Sequence, residues 1–480
     1  MSVTTTRRQF LEMGAAPLFA AAPSILELAP GKPTDIRVDG VKFSYEEFRY
    51  RTPLKFGGVA TDRVTILNVE CTVRSRAGKA GRGSGSMPMG NVWSFPSKTL
   101  TYDQTLGAMK ATATRIRDLL AGYAEYGHPI DITWALEPTY LRGAAAVGRE
   151  RGFEEPIPKL CTLVVASPFD AALHDAFGKL HGVSAYRTYG PEFMTHDLGR
   201  YLGDAFRGET LDRYVRTTPV PRLPLYHLVG ALDPIEERDV ERRIGDGLPE
   251  TLPEWIRYNG LTHVKIKLNG SDLDWDVDRV LRVNRATAPA QAARGVARWF
   301  YSLDFNGRCP NVQYLLDFLR RIKAEDAATF DRIQYVEQPT ARDLRANPAN
   351  TMHEIAKVKP VVIDESLTDY DSLMLAREMG YSGAALKACK GQSQALVLGA
   401  AGQKHKLFLC VQDLTCPGAS LVHSAGLAAH VPTIAAIEAN ARQYVPVANK
   451  GWEQRYPGLF TITDGTVDTS ILNRPGLSMP

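Results

Sequence analysis

From about Leu223 onward, short apolar runs alternate with stretches whose apolar residues recur at helical spacing. The runs are 225–229, 262–268, 300–305, 333–336, 361–363, 384–386, 407–411 and 435–437. Eight strands separated by helices predict parallel β/α units. Their span suits a (β/α) barrel of TIM type, which takes roughly 250 residues. Before residue 190 the pattern is mixed α and β. Residues 64–73 read as a strand, and 102–123 and 167–180 as helices. In the second helix Phe169, Leu173, Ala176, Phe177 and Leu180 make one apolar face. Residues 76–90, rich in Gly, Ser and basic residues, are expected to be a loop, either a hairpin tip or a cover over an active site. Trp93 beside it is expected to pack locally, with capping of the pocket as the alternative.

Residues 1–30 stand apart. Arg7-Arg8-Gln9-Phe10-Leu11 precedes a weakly apolar stretch with small residues at Ala20 to Ala22, then Pro30. That is a signal-segment pattern, and the paired arginines resemble the twin-arginine class. Export to the periplasm is therefore expected. The alternative is an amphipathic helix on a cytoplasmic protein, against which Pro17 and Pro23 count.

Lys+Arg 57 against Asp+Glu 53 leaves +4 over 480 residues, too balanced for a nucleic-acid partner. No run approaches ~18 uninterrupted apolar residues, so neither a membrane-spanning helix nor stable insertion is expected. The six cysteines are scattered without a C-x-x-C pair, which argues against a zinc knuckle and a disulfide framework.

Charges sit where parallel strands should be apolar. In Thr262-His263-Val264-Lys265-Ile266-Lys267-Leu268, period-two alternation puts Lys265 and Lys267 on one face. Asp304 and Asn306 repeat the arrangement. Glu337 closes the next run before Gln338-Pro339, Asp364 and Glu365 close the next, and Lys387 follows Leu386. The successive intervals, Lys267 to Asp304, Asp304 to Glu337, Glu337 to Asp364 and Asp364 to Lys387, each match one β/α unit. Lys, Asp, Glu, Asp and Lys would then meet at the C-terminal rim, where the catalytic groups of such barrels lie.

Three carboxylates without His or Cys make an all-oxygen site suited to Mg²⁺. A lysine on each side suggests proton transfer on either face of a carbon. Burial, the neighbouring Lys265 and the cation are expected to lower the lysine pKa from its usual ~10.4. The metal would stabilise a developing enediolate, making a proton α to a carboxylate removable.

Lys265-x-Lys267, Asp304-x-Asn306, Glu337-Gln338-Pro339, Asp364-Glu365-Ser366 and Lys387-x-x-Lys390-Gly391, in that order, resemble the enolase superfamily and its muconate-lactonising-enzyme subgroup. The resemblance implies a modified TIM-type barrel over 223–440 behind an N-terminal α+β capping domain over 35–190. Residues 441–480 are expected to pack back on the cap. It implies Asp304, Glu337 and Asp364 as Mg²⁺ ligands, Lys267 and Lys387 as the opposed acid/base pair, and Lys265 as support for the first. Asn306 and Glu365 read as supporting residues. The mandelate-racemase branch would need a His at strand seven, where Leu409-Cys410-Val411-Gln412-Asp413 has none. Lys390-Gly391-Gln392 lacks the second glycine usual there. Ile437-Glu438-Ala439-Asn440 lacks the acidic pair with which dipeptide epimerases hold an ammonium. Asp413, Glu438 and His227 are candidates for substrate contact, each with a structural role as the alternative, and Lys390 is expected at the surface.

The expected activity is Mg²⁺-dependent isomerisation of a small carboxylate: racemisation, epimerisation or cycloisomerisation. A lyase eliminating water through the same enolate, and a binding protein that has lost catalysis, are the alternatives. The partners expected are that substrate and further copies of the chain, the superfamily commonly forming dimers or octamers.

Overall fold

The computed structural model describes residues 31–56, 59–433 and 436–480. The export segment 1–30 and Ala435, at the start of the eighth expected strand, lie outside the described residues.

β1 (Ile36–Phe56), β2 (Val59–Ser75) and β3 (Ala80–Pro88) form an antiparallel sheet in that order. Helices Tyr102–Ala121, Pro129–Glu150 and Lys159–His181 cover it. Thr101 starts the first with a reciprocal cap, its side chain accepting from Gln104 N while Gln104 Oε1 accepts from Thr101 N.

The expected loop at 76–90 is mostly strand. Its glycines recur at every second position because the helix Lys159–His181 lies directly on them. A Cβ on Gly83 would stand 2.2 Å from Ala176 N, and one on Gly85 1.9 Å from the Pro168 carbonyl oxygen. That helix is long and apolar enough to cross a bilayer, its charges having interrupted the run in sequence. It is 94% buried over its most apolar window, which makes it the core of this domain.

Eight parallel strands follow: β4 (Arg222–Val229), β5 (His263–Lys267), β6 (Phe300–Asp304), β7 (Ile333–Glu337), β8 (Val361–Ile363), β9 (Gly383–Lys387), β10 (Phe408–Gln412) and β11 (Ile437–Glu438). β11 pairs with β4 and closes the barrel. A short β12 (Thr466–Asp468) runs antiparallel along the start of β4. Tyr226, Tyr335, Val362, Ala385, Cys410 and Ala436 pack together inside the ring. Val264, Ile266 and Leu303 face the helices in the main core.

Residues 191–221 and 233–260 bind different parts of the molecule. In 191–221, Arg216 N donates to His430 O at 2.7 Å, and Gln403 Nε2 reaches Tyr214 O at 2.9 Å. In 233–260, Asp246 pairs with the Arg51 guanidinium of β1 at 2.5 and 2.9 Å. Near the C-terminus, Gly476 N donates to Val183 O and Leu477 N to Asp175 Oδ1, both at 2.9 Å. All six cysteines are free and buried.

Candidate active site

Strand register puts the charged residues in one layer at the C-terminal rim. Lys267 pairs with Asp304, and Asp304 with Glu337, across β5, β6 and β7; Lys387 pairs with Gln412 across β9 and β10. Lys265, two residues before Lys267, shares its inward face.

Lys265 Nζ lies 2.7 Å from Glu438 Oε2, 2.9 Å from Glu337 Oε1 and 3.0 Å from Asp304 Oδ2. Lys267 Nζ donates to Asp304 Oδ2 at 2.5 Å and Asn306 Oδ1 at 3.0 Å. Across the ring, Lys387 Nζ stands 2.8 Å from Asp364 Oδ2. Gln412 Nε2 donates to Glu337 Oε2. No candidate side chain is more than 7% exposed.

Burial favours neutral carboxyls, and the neighbouring charges decide the outcome. For Asp304 the burial penalty is outweighed by Lys265 and Lys267, which hold it well below the usual carboxylate range. Asp364 is brought to about 2 against the same penalty by Lys387 and Lys390. Glu337 moves the other way: burial, then the adjacent Asp304, push it well above the ordinary carboxylate value. Lys265 and Lys387 rise above the usual lysine value, because the surrounding carboxylates outweigh burial. Burial and Lys265 lower the Lys387 value as expected, and Asp364, Glu337 and Glu438 outweigh them.

Asp304, Glu337 and Asp364 suit a hard divalent cation by donor type, being buried oxygens on three successive strands. Asp364 Oδ2 meets the Lys387 ammonium at 2.8 Å, and Asp304 and Asp364 both raise Glu337, a repulsion that a cation would relieve. As the side chains stand, the ammonium of Lys265 lies between Asp304 and Glu337. Among the described residues no three such groups converge closely enough to hold one ion. Binding a cation here requires the carboxylates to turn from the lysines toward it.

The cap closes the site. Trp93, in a helical turn Asn91–Ser94, does not merely pack locally: its Nε1 donates to Glu365 Oε1 at 3.0 Å, and Lys387 Nζ lies 4.5 Å from its ring centroid. Glu365 Oε1 also accepts from Asn306 Nδ2 at 2.8 Å and lies 3.3 Å from Arg342 Nη2. Phe56 of β1 covers Lys267 at 5.9 Å. Sequence reasoning passed over Arg342 and Gln412. The signal for Gln412 was a polar residue two positions beyond the inward Cys410.

Two expectations are corrected. His227 does not reach the mouth. It pairs with Val264 rather than Lys265 in the strand register, so it faces outward, where Arg442 Nη2 meets its Nδ1 at 2.8 Å and Trp255 lies against it. Lys390 is buried rather than exposed: its Nζ donates to Asp364 O at 2.5 Å and lies 3.2 Å from Asp364 Oδ1. Glu438 joins the charged layer through Lys265. Asp413 holds the loop after β10, its Oδ2 accepting from Cys416 N at 3.0 Å and Asn440 N at 3.2 Å. Burial, then Glu438, push the Asp413 carboxyl up to about 7.

Residues 248–480 match the family described as enolase C-terminal domain-like. No curated protein matches the sequence. Among solved structures, the chain is similar to a dipeptide epimerase from Enterococcus faecalis complexed with Mg and the dipeptide L-Leu-L-Tyr. That pair is 14% identical with a TM-score of 0.58, over 92% of this chain and 99% of that one. It is similar to a muconate lactonizing enzyme from Pseudomonas fluorescens complexed with muconolactone, at 16% identity and a TM-score of 0.57, over 92% and 96% of the two chains. An enolase from Pseudomonas fluorescens with bound magnesium, potassium and tartrate matches at 16% identity and a TM-score of 0.58, over 93% and 90%. These likenesses establish the capped barrel fold.

Proposed function

From the match of residues 248–480 to the enolase C-terminal domain-like family, we propose that the chain is a member of the enolase superfamily and an isomerase acting on a small carboxylate with Mg²⁺ as cofactor. It removes the proton α to the carboxylate and returns one, giving racemisation, epimerisation or cycloisomerisation. One observation carries this reading. Lys267 and Lys387 end β5 and β9, four strands apart in a closed ring of eight, so their ammonium groups approach the charged layer from opposite sides.

A neutral amine on one side takes the α-proton at Nζ, and an ammonium on the other delivers one to the opposite face of the planar carbon. Asp304, Glu337 and Asp364 would hold Mg²⁺, which would supply positive charge against the negative charge developing on the substrate carboxylate. Lys265 adds fixed positive charge beside Lys267. Asn306 orients the Lys267 ammonium through its Oδ1. The burial of the whole layer keeps water from the carbanion and strengthens each charge–charge interaction. The basic and apolar segment 1–30 supports export of the enzyme to the periplasm.

Elimination of water from a hydroxy acid through the same enolate is the second reading. The similarity to an enolase holding magnesium and tartrate favours it.

The test is α-proton exchange in D₂O with Mg²⁺ across pooled sugar acids, N-acyl amino acids, dipeptides and unsaturated acids, read by mass spectrometry. Deuterium entering one compound at unchanged carbon skeleton is expected, together with a loss of about 10²–10⁴-fold in Lys267→Ala and Lys387→Ala. Mass loss of one water moves the assignment to the lyase. Unchanged turnover in both variants refutes the roles of the lysines.

A further inference from the structure

Lys267 and Lys387 are held by different means. Lys267 has two oxygen partners from its neighbouring strand, Asp304 Oδ2 and Asn306 Oδ1. Lys387 has a single ion-pair partner among the described residues, Asp364 Oδ2. Its other close neighbour is an aromatic face, with Nζ 4.5 Å from the Trp93 ring centroid, inside the range in which a cation is attracted to an indole. The same ring lies 6.0 Å from Lys390 Nζ.

Trp93 is held through both its ring and its main chain. Its Nε1 donates to Glu365 Oε1 at 3.0 Å, and its backbone carbonyl accepts from Arg342 Nη1 at 2.7 Å. Arg342 Nη2 stands 3.3 Å from that same Glu365 oxygen, so Trp93, Arg342 and Glu365 close a loop of contacts between cap and barrel. Trp93 is 2% exposed, and its indole N–H has its partner, so the ring has one orientation in which to present its face.

We propose that Trp93 is a positioning residue contributed by the cap: its indole face places the Lys387 ammonium at 4.5 Å, while the Lys267 ammonium is placed by the two barrel oxygens of Asp304 and Asn306, with the Phe56 ring of the cap farther off at 5.9 Å. The inference rests on the isomerase reading for its consequence, which is that the two faces of the substrate carbon respond differently to the cap. Loss of the indole slows proton transfer on the Lys387 face and spares the Lys267 face.

Two measurements test this on the full protein. In the first, lysine is labelled with ¹³C at Cε, and the Lys387 resonance is assigned by its loss in Lys387→Arg. Ring-current shielding is expected to place the Lys387 ε-protons upfield of the other lysines in the wild type, partly so in Trp93→Phe, and not in Trp93→Leu. An unshifted Lys387 signal in the wild type overturns the proposal without reference to any substrate. In the second, each antipode of the exchanging acid is followed in D₂O. Trp93→Leu is expected to slow exchange of one antipode about ten- to thirty-fold and the other by less than about twofold, with Trp93→Phe recovering most of the loss. Equal loss on both antipodes assigns Trp93 a structural role and overturns the proposal. Absence of exchange in the wild type refutes the isomerase reading instead, and leaves the shielding of Lys387 to decide the placement.

Discussion

Removing the Lys265 ammonium isolates the energetics of the charged layer. In Lys265→Met the side chain keeps its length and loses its charge, so Asp304, Glu337 and Glu438 face one another without the group that lies 2.7–3.0 Å from each of them. At an effective dielectric of about 20, each of those contacts carries a gross attraction of about 6 kcal/mol. Desolvation of a fully buried ammonium cancels most of the sum. What remains is the cost of leaving buried carboxylates uncompensated, about 3–5 kcal/mol. The variant is therefore expected to unfold at distinctly lower urea at neutral pH with chelator present.

Two recoveries follow from the same electrostatics. Glu337 already titrates above its unfolded value. Between those two values the folded protein holds more protons than the unfolded chain, so its contribution to stability falls as pH rises through that window. Without Lys265 the window widens, and acidification should restore part of the lost stability. Saturating Mg²⁺ should restore more, about 2.7 kcal/mol at a hundred times its dissociation constant. The assay is a urea midpoint at pH 5.5 and 7.5, each with chelator or Mg²⁺. A variant within about 0.5 kcal/mol of wild type, or one indifferent to both acid and Mg²⁺, refutes this account of the layer.

Asp413 gives a second pH effect of the same sign. Its carboxyl, raised from 3.8 to about 7, costs stability that grows as pH climbs across that interval, up to about 4 kcal/mol. Asp413→Asn keeps an oxygen for Cys416 N and Asn440 N and should flatten the urea midpoint between pH 4 and 7; a dependence as steep as wild type would exclude Asp413 as its source. Gly83→Ala drives a methyl into the backbone of the helix Lys159–His181, at 2.2 Å from Ala176 N. A loss of at least about 1–3 kcal/mol is expected by chemical denaturation, and a neutral result would deny the close packing of helix on sheet. His227→Gln removes an outward ring that meets Arg442, so it should cost about 1 kcal/mol of stability and leave α-proton exchange intact; a large loss of exchange would return His227 to the mouth.

The barrel was legible because its signals are local. Apolar runs at β/α spacing marked the eight strands, and a charge ending an otherwise apolar strand is costly enough to advertise a use. Period-two alternation also determined that Lys265 and Lys267 share a face. The same alternation, applied to Gly81, Gly83 and Gly85, would have identified β3, but a glycine carries no side chain to announce which face it lies on. Which groups meet across the ring was decided elsewhere. The pairing of Tyr226 with His263, and so of His227 with Val264, turned His227 outward, and no sequence pattern contains an inter-strand register. The sign of the lysine and carboxylate shifts depends on separations near 3 Å between residues tens to hundreds of positions apart, as between Lys265 and Glu438. Trp93 reaches Glu365 across 272 residues, a contact that exists only because the cap is seated on the barrel. Sequence determined the kinds of charge and the strands that carry them, since both follow from local periodicity. Packing decided their partners, because the distances that set electrostatic energy are fixed only when distant segments close around a common core.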